Sequence, residues 1–127
     1  MSTSDFKLTS EKIELEGKGS VTVFAVQGWL DAQSEEKLVS AAAEAHAQGA
    51  RHVVVNLKEA DTLTSAGIRA LQKIYLLYNP SEHTVQMSHM KLCNAQPQVY
   101  HVLSITGFLQ SAPNYETLQA ALDSFFH

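Results

Sequence analysis

Val53-Val54-Val55-Asn56-Leu57-Lys58-Glu59-Ala60-Asp61-Thr62-Leu63-Thr64-Ser65-Ala66-Gly67-Ile68-Arg69-Ala70-Leu71 joins an apolar, β-branched run to a run with helical spacing. Val53 to Leu57 is apolar on consecutive residues, as expected of a strand covered on both faces. From near Ser65 to Tyr78, the residues Gly67, Leu71, Ile74 and Tyr78 fall at i, i+4, i+7 and i+11, one stripe of a helix. Gly67 lies on that stripe, so the helix is predicted to approach the sheet closely there. Pro80 ends the helix. Thr64-Ser65-Ala66-Gly67 occupies the junction itself. A hydroxyl at this point can cap the helix, a contribution of about 0.5–2 kcal/mol. It can instead present Ser65 for phosphorylation, which adds about −1.5 to −2 charges. The free N–H groups and positive dipole end of a helix start would tolerate that anion. Pattern alone leaves both readings open.

The same alternation extends outward. Phe6 to Leu15 reads as an irregular first strand, and Glu16-Gly17-Lys18-Gly19-Ser20 as a turn. Val21 to Gln27 is a second strand, with Gly28 to Gln33 a connector. Ser34 is the expected cap of an alanine-rich helix that runs to Gln48 and stops at Gly49. A fourth strand falls within Val85 to Asn94, around Lys91-Leu92-Cys93. Pro97 starts a helix with Val99, Val102 and Leu103 on its apolar face, and Gly107 stops it. Phe108 to Gln110 is expected as a short edge strand. Asn114 is the expected cap of a last helix striped by Leu118, Ala121, Leu122 and Phe125. Helices alternating with strands imply crossovers and a partly parallel sheet.

Composition narrows the function. The chain has 127 residues, 45% hydrophobic and 17% charged, within the range of one domain. A net charge of −4 without a basic patch argues against nucleic acid binding. Cys93 is the only cysteine, so an intrachain disulfide is excluded. It reads as a buried structural thiol. Apolar runs such as Val23 to Val26 are too short to insert in a membrane, and Met1 to Ser20 lacks the apolar segment of a signal peptide. A soluble cytoplasmic protein is expected. His46, His52, His83, His89, His101 and His127 have no metal-ligand spacing and read as solvated surface residues, so no metal and no cofactor is expected. Asp31 and Asp61 read as turn residues bonding nearby amides. Trp29 could be a surface anchor or partly buried core. With no nucleophile–base pair, phosphate loop, GxSxG or HExxH, the chain is not expected to be an enzyme.

The quoted stretch resembles the signature of STAS domains, the fold of anti-sigma factor antagonists, in which a strand leads to Asp-Ser-Ser/Thr-Gly-Leu and a helix. Gly28-Trp29-Leu30-Asp31 looks like the family's Gly-x-Leu-Asp turn. Pro97-Gln98-Val99 through Ser104-Ile105-Thr106-Gly107-Phe108 is similar to its later helix and terminal Gly-Leu/Phe. The resemblance covers roughly Val21 to Phe126. It implies an α/β fold over 1–127, with 1–5 frayed: a mixed four- to five-stranded sheet and about four helices packed mainly on one face. It implies Ser65 as phosphoacceptor, a serine kinase that doubles as anti-sigma factor, and a PP2C-type phosphatase that resets the protein. The chain departs from the motif at Thr64, which replaces the aspartate, and at Ala66, which removes the second hydroxyl. Ser65 is then the acceptor, with Thr64 as competitor. The implied docking surface comprises Asp31, Asp61, Thr64, Ser65, Ala66, Ile68, Arg69 and Lys73. Arg69 and Lys73, at i and i+4, would steer an acidic partner. The alternative is a non-switching adaptor subunit of a lipid-transport ABC complex or a stress-signalling scaffold.

Overall fold

The computed structural model describes residues 6–15, 19–79 and 89–126. Five strands and four helices follow one another as β1 (Lys7–Leu15), β2 (Gly19–Leu30), α1 (Ala32–Ala47), β3 (Val53–Leu63), α2 (Ser65–Tyr78), β4 (Met90–Cys93), α3 (Pro97–Ile105), β5 (Asn114–Tyr115) and α4 (Leu118–Asp123). The sheet order is β1-β2-β3-β4-β5. β1 pairs antiparallel with β2, and every later pair is parallel. The partly parallel sheet expected from the alternation is therefore present, and its five strands fall within the four to five that the resemblance implies.

Strand alternation divides the core in two. Val53 and Val55 face one side with Phe24, Val26, Met90 and Leu92, under Leu38 of α1, Leu71 and Ile74 of α2, and Val99 and Leu103 of α3. Val54 faces the other side with Val21, Val23 and Cys93, under Ala121 and Leu122 of α4. Helices lie mainly on one face, and α4 is the exception. Burial pushes the Cys93 thiol up to about 11, which suits a structural rather than a reactive cysteine.

Several local expectations change. β2 runs on to Leu30 and β3 to Leu63, because parallel pairing continues past two register shifts, between Ala25 and Gln27 and between Gly28 and Trp29. Gly28 has φ of 89° at the second shift, a conformation glycine adopts without Cβ strain. Phe108–Gln110 is a 3-10 turn rather than an edge strand, with Phe108 buried in the core. Asn114 lies in the real edge strand, its Oδ1 accepting from Ala95 N at 3.3 Å, and Thr117 caps α4. Ser34 does not cap α1. Asp31 does, and Ser34 completes a capping box from the third helical position. The turn at Glu16 to Lys18, Pro80 and the start of the predicted fourth strand lie outside the described residues, as do His83 and His127.

The histidines also depart from expectation. His52 and His89 are half-buried, with their Nδ1 atoms 3.1 Å apart. Burial lowers the His52 pKa, with further lowering from His89 and Lys91. His46 packs edge-on against Tyr78 at 4.9 Å, while His101 is exposed. Among the described residues no group of three His, Cys, Asp or Glu could hold a metal ion. No helix among them is long and apolar enough to cross a membrane.

Tyr78 ties α2 to α1. Its buried phenol donates to Ala42 O at 2.8 Å, and burial raises its pKa from 10 to about 12. The folded state thus prefers the neutral phenol. Its stabilising effect is complete below pH 10, the unfolded value, and is lost as pH rises toward 12. Tyr78→Phe is expected to cost about 1 kcal/mol at neutral pH. It should also flatten the decline in stability above pH 10, read from urea midpoints across an alkaline series.

Candidate functional site

Parallel strands bring their C-terminal ends to the same edge, so α1 after β2 and α2 after β3 start side by side. Leu30 pairs with Leu63 at the end of the β2–β3 ladder. One atom then joins the two helix starts. Leu30 O accepts from Thr64 N at 3.2 Å and from Thr64 Oγ1 at 3.2 Å. Thr64 also caps α2, accepting from Gly67 N at 3.4 Å. Its hydroxyl is committed as both donor and acceptor. An ionised aspartate could cap here but could not donate to Leu30 O.

Asp31, half-buried, anchors α1. Its Oδ1 accepts from Gln33 N at 3.0 Å and Ser34 N at 3.2 Å, as expected of a residue bonding nearby amides. Ser34 Oγ accepts from Asp31 N at 2.8 Å and donates to Trp29 O at 2.9 Å. Trp29 itself is 38% exposed beside this turn. Asp61 is exposed and is the extra β3 residue between Ala60, opposite Gly28, and Thr62, opposite Trp29. Its carbonyl accepts from Gln98 Nε2 of α3 at 3.1 Å.

Ser65 is the first residue of α2 and is exposed. Its hydroxyl makes no hydrogen bond among the described residues. Ala66, Gly67 and Ile68 turn into the fold instead. Ala66 and Ile68 are therefore not part of an exposed docking surface. Gly67 meets the close approach predicted for it: a Cβ there would collide with Leu30 O and lie 2.6 Å from Leu63 Cδ1. The exposed stripe of α2 consists of Ser65, Arg69, Gln72, Lys73 and Leu76, spaced as one helical face.

Arg69 and Lys73 are not free cations. Arg69 Nε and Nη2 donate to the Glu35 carboxylate at 3.0 and 3.1 Å, and Lys73 Nζ donates to it at 3.1 Å. The hydrogen bond from Arg69, then that from Lys73, holds the Glu35 carboxyl below its usual range. The Arg69 pKa is raised in turn, chiefly by its hydrogen bond to Glu35. Two cations and one carboxylate leave a single net positive charge, weaker steering than the spacing alone suggests. Glu35 belongs to the site but was not visible in the sequence, because its partners are 34 and 38 residues away. Its place one turn after Asp31 was the available signal.

The STAS domain profile matches residues 12–121. The chain belongs to the STAS domain family. BtrV of Bordetella bronchiseptica, a candidate anti-sigma factor antagonist, is 31% identical to this STAS domain over 119 residues, 94% of each chain. An anti-sigma factor antagonist from Mycobacterium paratuberculosis superposes with a TM-score of 0.76 at 21% identity, covering 95% of this chain and 96% of that one. SpoIIAA in its unphosphorylated form gives 0.70 at 18% identity over 94% of each chain. The phosphorylated form of Bacillus SpoIIAA gives 0.64 at 18% identity, covering 94% and 97%. This STAS domain is of the anti-sigma factor antagonist type, a group of non-enzymatic regulators.

Proposed function

We propose that this STAS domain is a partner switch: unphosphorylated, it binds an anti-sigma factor that is also a serine kinase, and phosphorylation of Ser65 ends that binding. The observation that carries the reading is the contrast between two neighbouring hydroxyls. Thr64 Oγ1 is committed to Leu30 O and Gly67 N, whereas Ser65 is exposed and its hydroxyl unengaged. SpoIIAA has been solved in unphosphorylated and phosphorylated forms, which supports phosphorylation as a modification that a fold of this kind accepts.

The chemistry is a phosphoryl transfer. The γ-phosphoryl of ATP passes to Ser65 Oγ, the bond to ADP breaks, and the hydroxyl proton leaves to a base on the kinase. A PP2C-type phosphatase would return the serine by hydrolysis. This STAS domain contributes the acceptor and the surface around it: Asp31, Arg69, Lys73 and the exposed stripe of α2. On this reading it works in the cytoplasm, where ATP and the transcription machinery are found.

Intact-mass measurement with the cognate kinase and ATP tests the assignment. Wild type and Thr64→Ala should each gain one phosphate, and Ser65→Ala none. A phosphate retained on Ser65→Ala would overturn it. Stable binding to a transporter subunit, indifferent to the Ser65 substitution, would assign the chain to the adaptor class instead.

A further inference from the structure

Ser65 and Arg69 are four residues apart on α2 and both are exposed, so their side chains are neighbours on one helical face. Arg69 reaches from that face to Glu35 on α1 through two N–H donors. Lys73, one turn further along, donates to the same carboxylate from the opposite side of Arg69 in sequence. Glu35 is thus held twice, and it keeps one cation if the other leaves. Arg69 is also the one α2 cation within one turn of Ser65, since the next Lys or Arg of the helix is Lys73, eight positions on.

We propose that Arg69 is the internal ligand of a phosphate on Ser65, and that phosphorylation transfers its guanidinium from Glu35 to the phosphate while Lys73 keeps Glu35. The inference rests on Ser65 being the acceptor. Its physical basis is a competition for one fork of donors. A doubly charged phosphate offers more charge and more acceptor oxygens than a carboxylate, and a guanidinium pairs with either in the same bidentate geometry. The exchange needs no backbone movement, because Arg69 is already ordered on the correct face. Its consequence reaches α1: Glu35 is left with Lys73 alone, and the cluster of residues 35, 65, 69 and 73 passes from one net positive charge to about one net negative charge. The signal read by a partner is then wider than the phosphate itself.

Phosphoserine can be placed at position 65 during translation, which makes the test independent of any kinase. Titrating the chain by phosphorus NMR reads the second ionisation of the phosphate directly, ordinarily near about 6. In the otherwise wild-type chain this ionisation should fall below that value, and Arg69→Ala and Arg69→Gln should both raise it, by on the order of one unit. Glu35→Gln, which frees Arg69, should lower it further, and Lys73→Ala, which leaves Glu35 only Arg69, should raise it by clearly less than the Arg69 variants do. Equal titration in wild type and both Arg69 variants would overturn the exchange. So would a Lys73→Ala shift as large as that of Arg69→Ala, since the effect would then be diffuse charge. A kinase that leaves Ser65 unmodified would defeat the proposed function without altering this titration, so the two failures are distinguishable.

Discussion

Gly67→Ala is expected to destabilise the chain by about 3 kcal/mol, within the range of overpacked cores. Alanine is the better helix former by about 1 kcal/mol, so propensity alone predicts a gain. Geometry reverses the sign. The added carbon would collide with Leu30 O and lie 2.6 Å from Leu63 Cδ1 and 3.1 Å from Leu30 Cγ. A leucine methyl can rotate away, but Leu30 O is main chain. It is held in the β2–β3 ladder and by two donors from Thr64. Relief would require α2 to lift from the sheet, loosening Leu71 and Ile74 in the core beneath it. Against a total stability of about 5–15 kcal/mol, that loss is a large share. It should lower the melting temperature by on the order of 10 °C. Urea unfolding of both proteins checks this, and a variant as stable as wild type would show that the helix is free to move outward.

Ser65→Glu is expected to weaken binding of the cognate anti-sigma partner by about 100-fold, equivalent to roughly 3 kcal/mol. A new charge in a docked surface meets like charge or loses water, and either costs several kcal/mol. The folded chain should barely register the change. Ser65 is exposed and its hydroxyl is unengaged, so stability should stay within about 0.5 kcal/mol of wild type, as for most surface substitutions. Ser65→Ala should bind like the unmodified protein and be indifferent to ATP. Calorimetric titration and a thermal melt on the same samples separate the effects. Unchanged affinity for Ser65→Glu would remove Ser65 from the interface, and a collapsed melting temperature would make it a structural residue.

The two results together would reflect how differently neighbouring residues of one junction are used. The junction was readable because strand and helix periodicities meet there without ambiguity, at Val53 to Leu57 and at Gly67, Leu71, Ile74 and Tyr78. The end of α1 was readable for a similar reason, with Gly49 following the alanine-rich run at φ of 108°. Less visible were the last residues of β2 and β3. Lys58, Glu59 and Asp61 look like loop, yet they lie in a strand whose pairing continues across irregular register. Asn114–Tyr115 has little strand character of its own and is a strand because Leu92 and Cys93 pair with it. Ile68, which the resemblance places on the docking face, lies three residues before Leu71, a spacing that belongs to the buried stripe. The clasp on Glu35 joins two helices and has no local sequence signature, so only the fold brings it together.

The Leu30 carbonyl has a consequence for how such a protein can change over time. The relative placement of the two helix starts depends on a main-chain oxygen, the Thr64 amide and a hydroxyl. Main-chain groups are the same whichever side chain is attached. Mutational drift can therefore rewrite most of the surrounding side chains while the serine keeps its position at the head of its helix. Structures only 18% and 21% identical to this chain still superpose on it with TM-scores of 0.70 and 0.76, as expected of a framework held largely by its backbone. What drift can alter freely is the outer stripe, and with it the choice of partner.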